Sequence, residues 1–334
     1  MRAPAFWWRP PGLLAALFAP FGAIYGAVAV ARLRRRGKRA GVPVICVGNP
    51  TLGGAGKTPA AIALARLLAA AGARPFLVTR GYRGRERGPL LVDPAQHDAA
   101  AVGDEALLLA RAAPTIVAAD RFAGVELAAR RGASVVVLDD GFQNPSVEKD
   151  FSLLVIDGES GVGNGRVFPA GPLRAPLIAQ IERAQALVCN GKGAAVETVA
   201  ALAARKGVPV FAARVVPEPR AAQNLAGQKV LAFAGIGRPE KFFRTLSEIG
   251  AKVAKRRAFP DHHPYSPREA EDLLATAKRE SLLPVTTEKD RIRIAGLKLT
   301  ELYAASTALP VTLEFDEEAA LMRLVTGALA RRRA

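Results

Sequence analysis

From residue 42 onward the sequence predicts an α/β fold, a largely parallel sheet wrapped by helices. Three observations carry that expectation. Short apolar runs alternate with helix-length segments, one run opens into a glycine-rich turn, and another ends in two adjacent acids. A smaller α/β unit follows, and a long apolar stretch precedes the whole.

The chain begins with that stretch. Leu13 to Ala31 carries no charge; Phe6-Trp7-Trp8-Arg9 stands before it and Arg32-Leu33-Arg34-Arg35-Arg36-Gly37-Lys38-Arg39 after it. Leu14, Phe18, Phe21, Tyr25 and Val28 recur at helical spacing, with Ala and Gly on the other side. This fits a helix dipping into one leaflet with its basic end at anionic headgroups, and the length also permits a bilayer crossing. A single Arg2 ahead of the tryptophan pair makes a poor secretory leader. Residues 1–40 are accordingly set apart as a membrane-docking segment.

Residues 41–216 form the first α/β unit. Its strands are expected at Val44 to Val47, Pro75 to Thr79, Thr115 to Ala118, Ser134 to Leu138, Ser152 to Ile156, Ala186 to Cys189 and Pro209 to Ala212. Helices are expected at Thr58 to Ala71, Asp104 to Ala112, Arg121 to Arg131 and Ala194 to Lys206. Residues 217–228, polar and with two prolines, read as a linker. Residues 229–334 form the second unit. Its strands are expected at Lys229 to Ala234, Ala251 to Arg256, Pro284 to Thr287 and Pro310 to Leu313, with helices near Pro239 to Ile249, Ser266 to Arg279 and Glu317 to Ala330. The arginines at 331 to 333 read as a solvated end.

Composition narrows the partners. With 47 Lys and Arg against 30 Asp and Glu, the formal charge of +17 favours an anionic partner: nucleic acid, a phospholipid surface or a phosphorylated substrate. Aromatics are only 6% of residues and no nucleic-acid-binding signature is present, which argues against nucleic acid. Cys46 and Cys189 lie in apolar runs without metal-like or redox spacing, as expected of buried strand residues in a reducing compartment.

The chemistry starts at the glycine-rich turn. Thr51-Leu52-Gly53-Gly54-Ala55-Gly56-Lys57-Thr58 follows an apolar strand and opens a helix. The glycines let backbone N–H groups wrap an anion, Lys57 supplies charge for the outer phosphates, and the Thr58 hydroxyl can ligate Mg²⁺. The general pattern G-x-x-x-x-G-K-[ST] has glycine where this chain has Thr51. Even so, strand, turn and helix follow the order of a P-loop NTPase-like domain, and a nucleoside triphosphate is the implied ligand. Asp139 and Asp140 end the Ser134 to Leu138 run, the place where such folds hold Mg²⁺ directly or through water.

Transfer to an acceptor hydroxyl also needs a base. Asp104 and Glu105, after Gly103 at the start of a helix, fit that role and fit helix capping equally. His262 and His263 are neighbours whose side chains diverge on extended backbone, so joint metal ligation is not expected, whereas Asp261-His262 could act as an acid–histidine pair. His97 has no comparable setting.

Eight blocks taken together resemble a known family. They are residues 47 to 59, Arg-Gly-Tyr (80 to 82), Gly-Asp-Glu (103 to 105), Asp-Asp-Gly-Phe-Gln (139 to 143), Pro-Ala-Gly-Pro-Leu-Arg (169 to 174), Phe-Ala-Gly-Ile-Gly (233 to 237), Phe-Pro-Asp-His-His (259 to 263) and Thr-Thr-Glu-Lys-Asp (286 to 290). In this order they resemble the tetraacyldisaccharide 4′-kinases of Gram-negative bacteria. The resemblance implies transfer of the ATP γ-phosphoryl group to the 4′-hydroxyl of an acylated glucosamine disaccharide 1-phosphate, giving lipid IVA at the cytoplasmic face of the inner membrane, with no obligate protein partner. It implies Asp104 as base with His262, Asp139 and Asp140 in the metal and phosphate site with Glu105 nearby, and Arg80, Tyr82, Arg121 and Gln143 toward substrate. Asn144 and Ala175 stand where the family commonly has His and Glu. The other reading of the loop, a membrane-recruited ATPase or GTPase switch, would need no acceptor-directed base.

Overall fold

The computed structural model describes residues 3–333, apart from the Arg333 side chain. Among these the strands form a nine-stranded and a four-stranded sheet. In chain order they are β1 (Val44–Gly48), β2 (Pro75–Thr79), β3 (Leu90–Leu91), β4 (Thr115–Val117), β5 (Val135–Asp139), β6 (Phe151–Asp157), β7 (Ala186–Asn190), β8 (Val210–Pro217), β9 (Lys229–Ala234), β10 (Lys252–Ala258), β11 (Leu283–Thr287), β12 (Thr307–Leu309) and β13 (Val311–Phe315). The large sheet runs β13-β8-β7-β6-β1-β5-β2-β4-β3, antiparallel only where β13 meets β8 and β3 meets β4. The small sheet, β10-β9-β11-β12, is parallel throughout.

The apolar run of β1 is continuous because both faces of the sheet are covered. On one face Leu64 and Leu68 of the Lys57–Ala70 helix pack on Ile45, Val137 and Leu153; on the other, Val125 and Ala128 of the Arg121–Arg130 helix join the cluster of Cys46, Val136 and Leu138. The β1–β5 register sets Val47 beside Asp139, so the end of β5 lies next to the start of the glycine-rich turn.

Two sequence boundaries need correction. The segment 217–228 is no free linker: it holds a helix, Pro219–Leu225, capped by the Glu218 carboxylate, which accepts from the Arg220 and Ala221 N–H groups. Leu225 is buried with Val230 and Phe242 of the second unit. The second unit also ends before residue 334. β13 pairs with β8, with Leu313 opposite Val215, and the Glu318–Arg333 helix buries Leu321, Val325 and Ala328 in the core of the large sheet. Nor is the arginine end wholly solvated, since Arg332 pairs with Asp150 and donates to the Ala40 carbonyl.

The N-terminal helix spans Leu13–Arg34. Its small residues Ala15, Gly22 and Gly26 are buried; a Cβ at Gly22 would lie 2.9 Å from the Val167 carbonyl oxygen. Leu17 (67% exposed), Phe21 (61%) and Ile24 (68%) face outward. Trp7 is an anchor rather than an exposed ring, its indole N–H donating to the Pro169 carbonyl at 3.0 Å.

Because the C-terminal helix closes the large sheet, Leu321→Ala is expected to destabilise that sheet by about 2–4 kcal/mol, read as a lowered urea midpoint of its unfolding. An unchanged midpoint would place the helix outside this core.

Candidate functional site

β1 ends at Gly48, and the turn that follows is folded from within. The Asn49 amide donates to the carbonyls of Thr51 (2.8 Å) and Gly53 (3.2 Å). Thr51 is buried and bridged to Leu173, and the Leu52 N–H donates to the Pro172 carbonyl at 2.7 Å. Thr51 does not need a left-handed backbone, which is why a threonine is accommodated where the general pattern has glycine. Gly53 (φ +125°) and Gly56 (φ +87°) do need one. A Cβ at Gly56 would meet the Asn190 amide at 2.5 Å, whereas Gly53 and Gly54 face open space, and Ala55 is buried beneath them. The result is a cradle of backbone donors at a helix N-terminus, suited to phosphate.

Lys57 is the first residue of that helix, and burial lowers its ammonium pKa against the opposing pull of Asp140, 3.8 Å away. The Thr58 hydroxyl donates to Asp139 Oδ2 at 3.1 Å. Asp139 Oδ1 is buried without a partner, and burial, with Glu105 adding to it, pushes this carboxyl up to about 7. An orphaned carboxylate oxygen beside a hydroxyl at the foot of a phosphate cradle is a donor set that fits a hard divalent cation. Among the described residues no three His, Cys, Asp or Glu gather as a metal cluster, so the remaining ligands would be phosphate oxygens or water.

The other two expected ligands have cationic partners. Arg174 grips both oxygens of Asp140, at 2.8 and 3.1 Å. Burial alone would raise Asp140, but Lys57 and Arg174 outweigh it and hold the carboxyl below its usual range. Glu105 lies 2.6 Å from the Lys289 ammonium, whose charge holds it low.

His262 meets two acids: its Nδ1 lies 3.1 Å from Asp104 and its Nε2 3.9 Å from Asp261, the neighbour expected from the sequence. Asp104 opens the Asp104–Ala110 helix, and its Oδ1 accepts from the Glu105 N–H at 2.9 Å. Its Oδ2 faces the second unit, 3.1 Å from His262 Nδ1 and 2.6 Å from Arg293 Nε. Burial would raise Asp104, yet the hydrogen bond to His262 and the Arg293 charge hold it well below the carboxylate range. An ionised Asp104 accepts from the His262 Nδ1–H, so Nε2 is the ring nitrogen turned away from Asp104. His262 takes a left-handed backbone (φ +55°) in the loop after β10, its N–H donating to the Gly235 carbonyl at 2.9 Å. His263 diverges as expected, pairing with Glu269 at 2.9 Å, and His97 merely accepts from the Asp93 N–H.

The residues expected toward substrate are placed unequally. Half-exposed Tyr82 lies 5.3 Å from the His262 ring, edge to face, and Arg80 is exposed. Gln143 is tied to the loop, donating to the Asn49 carbonyl (3.1 Å) and to Gln180 (3.0 Å). Arg121 is buried, donating to the Ala118 carbonyl at 2.6 Å, with its Nε unpartnered. At the two departures from the family pattern, the Asn144 side chain accepts from the Ser146 N–H and the buried Ala175 presents only its carbonyl, to Gln180. Sequence reasoning assigned no role to Arg174, Lys289, Asp290 or Arg293. The first three lie inside blocks it quoted, and Arg293 follows Lys289 by one helical turn.

The sequence model described as tetraacyldisaccharide-1-P 4′-kinase matches residues 14–330. The chain belongs to this family. It is 53% identical to the tetraacyldisaccharide 4′-kinase of Rhodopseudomonas palustris strain BisB5, over 97% of this chain and 96% of that one. It is 55% identical to that of Methylobacterium nodulans, over 98% and 96%. Among solved structures, LpxK from Aquifex aeolicus in complex with ATP superposes with a TM-score of 0.72 at 27% identity, covering 95% of this chain and all of that one.

Divalent-cation binding is expected to release about one proton near pH 6 and much less near pH 8, because Asp139 must give up the proton it holds below about 7. Calorimetry in buffers of different ionisation heat measures this, and Asp139→Asn should abolish the release. Uptake of the cation without proton release at the lower pH would contradict the assignment.

Proposed function

We propose that this chain transfers the γ-phosphoryl group of ATP to the 4′-hydroxyl of a tetraacylated glucosamine disaccharide 1-phosphate, giving lipid IVA at the cytoplasmic face of the inner membrane. The observation that carries this reading is the Asp104–His262 pair. A hydrolase could turn such a pair on water; membership of the 4′-kinase family is what favours a sugar hydroxyl as the acceptor it serves.

The backbone donors of residues 53–58 and the Lys57 ammonium hold the outer phosphates, and Arg174, fixed by Asp140, adds a second positive charge beside Lys57. Thr58 and Asp139 would hold Mg²⁺, which when bound neutralises charge on the phosphates. Both Asp104 oxygens already accept, from the Glu105 N–H, His262 and Arg293. In this reading His262 Nε2, rather than the Asp104 carboxylate that the resemblance implies, therefore takes the proton of the acceptor hydroxyl as its oxygen attacks the γ-phosphorus. Asp104 orients the ring through Nδ1 and stabilises the imidazolium that forms. ADP leaves with the bridging oxygen, and His262 returns its proton to solvent. The second unit supplies His262 and meets the first through Asp104, Glu105 and Asp157.

The acceptor's acyl chains belong in a bilayer, and the outward face of the Leu13–Arg34 helix supports docking there. Behind it a groove of about 720 Å³ runs between the helix and residues 165–178, lined by Ala23, Val30, Leu177 and Ile178 with Arg34 and Arg166. Headgroups, the acceptor 1-phosphate and ATP are all anions that a chain of charge +17 attracts. No nucleic acid and no obligate protein partner enter this reading.

Purified protein incubated with Mg·ATP and the lipid disaccharide 1-phosphate in detergent should yield a product heavier by one phosphate, read by mass spectrometry. ATP turnover without that product would sink the kinase reading and favour the switch. Asp104→Ala should cut kcat by about 10²–10⁴-fold with little change in ATP affinity; equal losses in both would assign Asp104 to the nucleotide site instead. The double variant Leu17→Glu/Phe21→Glu should no longer sediment with anionic vesicles, and unchanged sedimentation would contradict docking through this helix.

A further inference from the structure

The Asp104–His262 pair is assembled from two units, and a third residue bonds the acid and shares a backbone acceptor with the histidine. Arg293, on the Glu288–Gly296 helix of the second unit, is buried; its Nε donates to Asp104 Oδ2 at 2.6 Å and its Nη1 to the Gly235 carbonyl at 2.7 Å. That same carbonyl accepts from the His262 N–H. Nη1 also lies 2.7 Å from Asp290 Oδ1, and Asp290 is wholly buried, accepting from the Gly235 N–H (3.0 Å), the Tyr265 hydroxyl (2.9 Å) and the Thr287 hydroxyl (2.6 Å). The guanidinium is therefore fixed from behind by a saturated carboxylate; Nε points at the acid of the other unit, Nη1 at the Gly235 carbonyl that also holds the histidine loop, and Nη2 is buried without a partner. One turn earlier on the same helix, Lys289 reaches the neighbouring acid, Glu105.

We propose that Arg293 is a positioning residue for phosphoryl transfer. It sets the Asp104 carboxylate and the His262 loop in register with one another, so that the base is aligned only when the Glu288–Gly296 helix is seated on the Asp104–Ala110 helix. This rests on the kinase reading above. Three features require an arginine. The group must serve two acceptors in different directions, must stay charged when buried, and must keep a fixed plane between them. A lysine can supply the charge to Asp104 but cannot bridge to Gly235 at the same time. Arg293 touches no reacting atom, so its loss is expected to act on the chemical step through the placement of Asp104 and His262, with nucleotide binding left intact.

The test compares wild type, Arg293→Gln, Arg293→Lys, Asp104→Asn and the double variant Arg293→Gln/Asp104→Asn in lipid phosphorylation and in equilibrium ATP binding. Arg293→Gln should lower kcat by about 100-fold while the ATP dissociation constant changes by less than about 2-fold, and Arg293→Lys should recover little of the loss. The double variant should be no slower than Asp104→Asn alone, because both changes disable one unit. A kcat for Arg293→Gln within about 3-fold of wild type would overturn the proposal, as would parallel losses in kcat and ATP binding or fully additive losses in the double variant. Should Arg293→Gln not fold, Arg293→Lys, which keeps the buried charge, decides alone: activity close to wild type overturns the proposal, and loss of kcat with intact ATP binding supports it. An inactive wild type would instead overturn the kinase reading, and the positioning role with it.

Discussion

The Asp104 carboxylate belongs to the unit that carries the phosphate cradle, but Arg293 and His262, both donors to its Oδ2, belong to the other. Burial makes that arrangement consequential. A buried carboxylate that loses its cationic partner costs about 3–5 kcal/mol, so the units have a strong reason to stay seated where these groups meet. A second ionic contact reinforces the seating: Asp157 at the end of β6 is gripped at 2.6 Å by both Arg238 and Lys241 of the second unit. Everything else about the site follows from this juxtaposition. Loops beyond the carboxyl ends of β6 and β9 thus meet, and His262 of the loop after β10 reaches the unit that carries the phosphate donors.

The electrostatics within the cleft sort the acids by partner. Asp140 and Glu105 each hold a cation and are kept ionised, which fixes Arg174 and Lys289 in turn. Asp139 is the exception, with one oxygen on Thr58 and the other on nothing, and its raised pKa is what burial does to an unpaired carboxylate. Four acids close together in one cleft thus do three kinds of work. Two hold cations, one holds a histidine, and in the proposed reaction the fourth would take a divalent cation.

What could be read from the sequence is what is local in the chain. The cradle was legible because strand, glycines, Lys57 and Thr58 are contiguous, and the sheet pairs β1 with β5 so that Asp139 falls beside them. The central strands of the first unit were legible because doubly covered strands are uniformly apolar, whereas the two-residue edge strand β3 was too short to give a signal. β13 was assigned to the wrong unit because its apolar residues say that it is a strand but not which edge it joins; only the pairing with β8 decides that. The helix at Pro219–Leu225 was hidden by polar residues, since one buried leucine and a Glu218 cap make no periodic signal. Arg293 was invisible for a related reason. Its partner Asp104 lies 189 residues away, and nothing in the local sequence distinguishes it from a solvated arginine on a helix.

The central claim is that the cradle and the Asp104–His262 pair act on one acceptor at the same moment. A crystal structure with Mg²⁺, an unreactive ATP analogue and the lipid disaccharide 1-phosphate tests it most directly. The account predicts the 4′-hydroxyl within about 3 Å of His262 Nε2, in line with the γ-phosphorus, with Asp104 still held by Arg293. A 4′-hydroxyl bound elsewhere, with His262 turned away from the γ-phosphate, would contradict it.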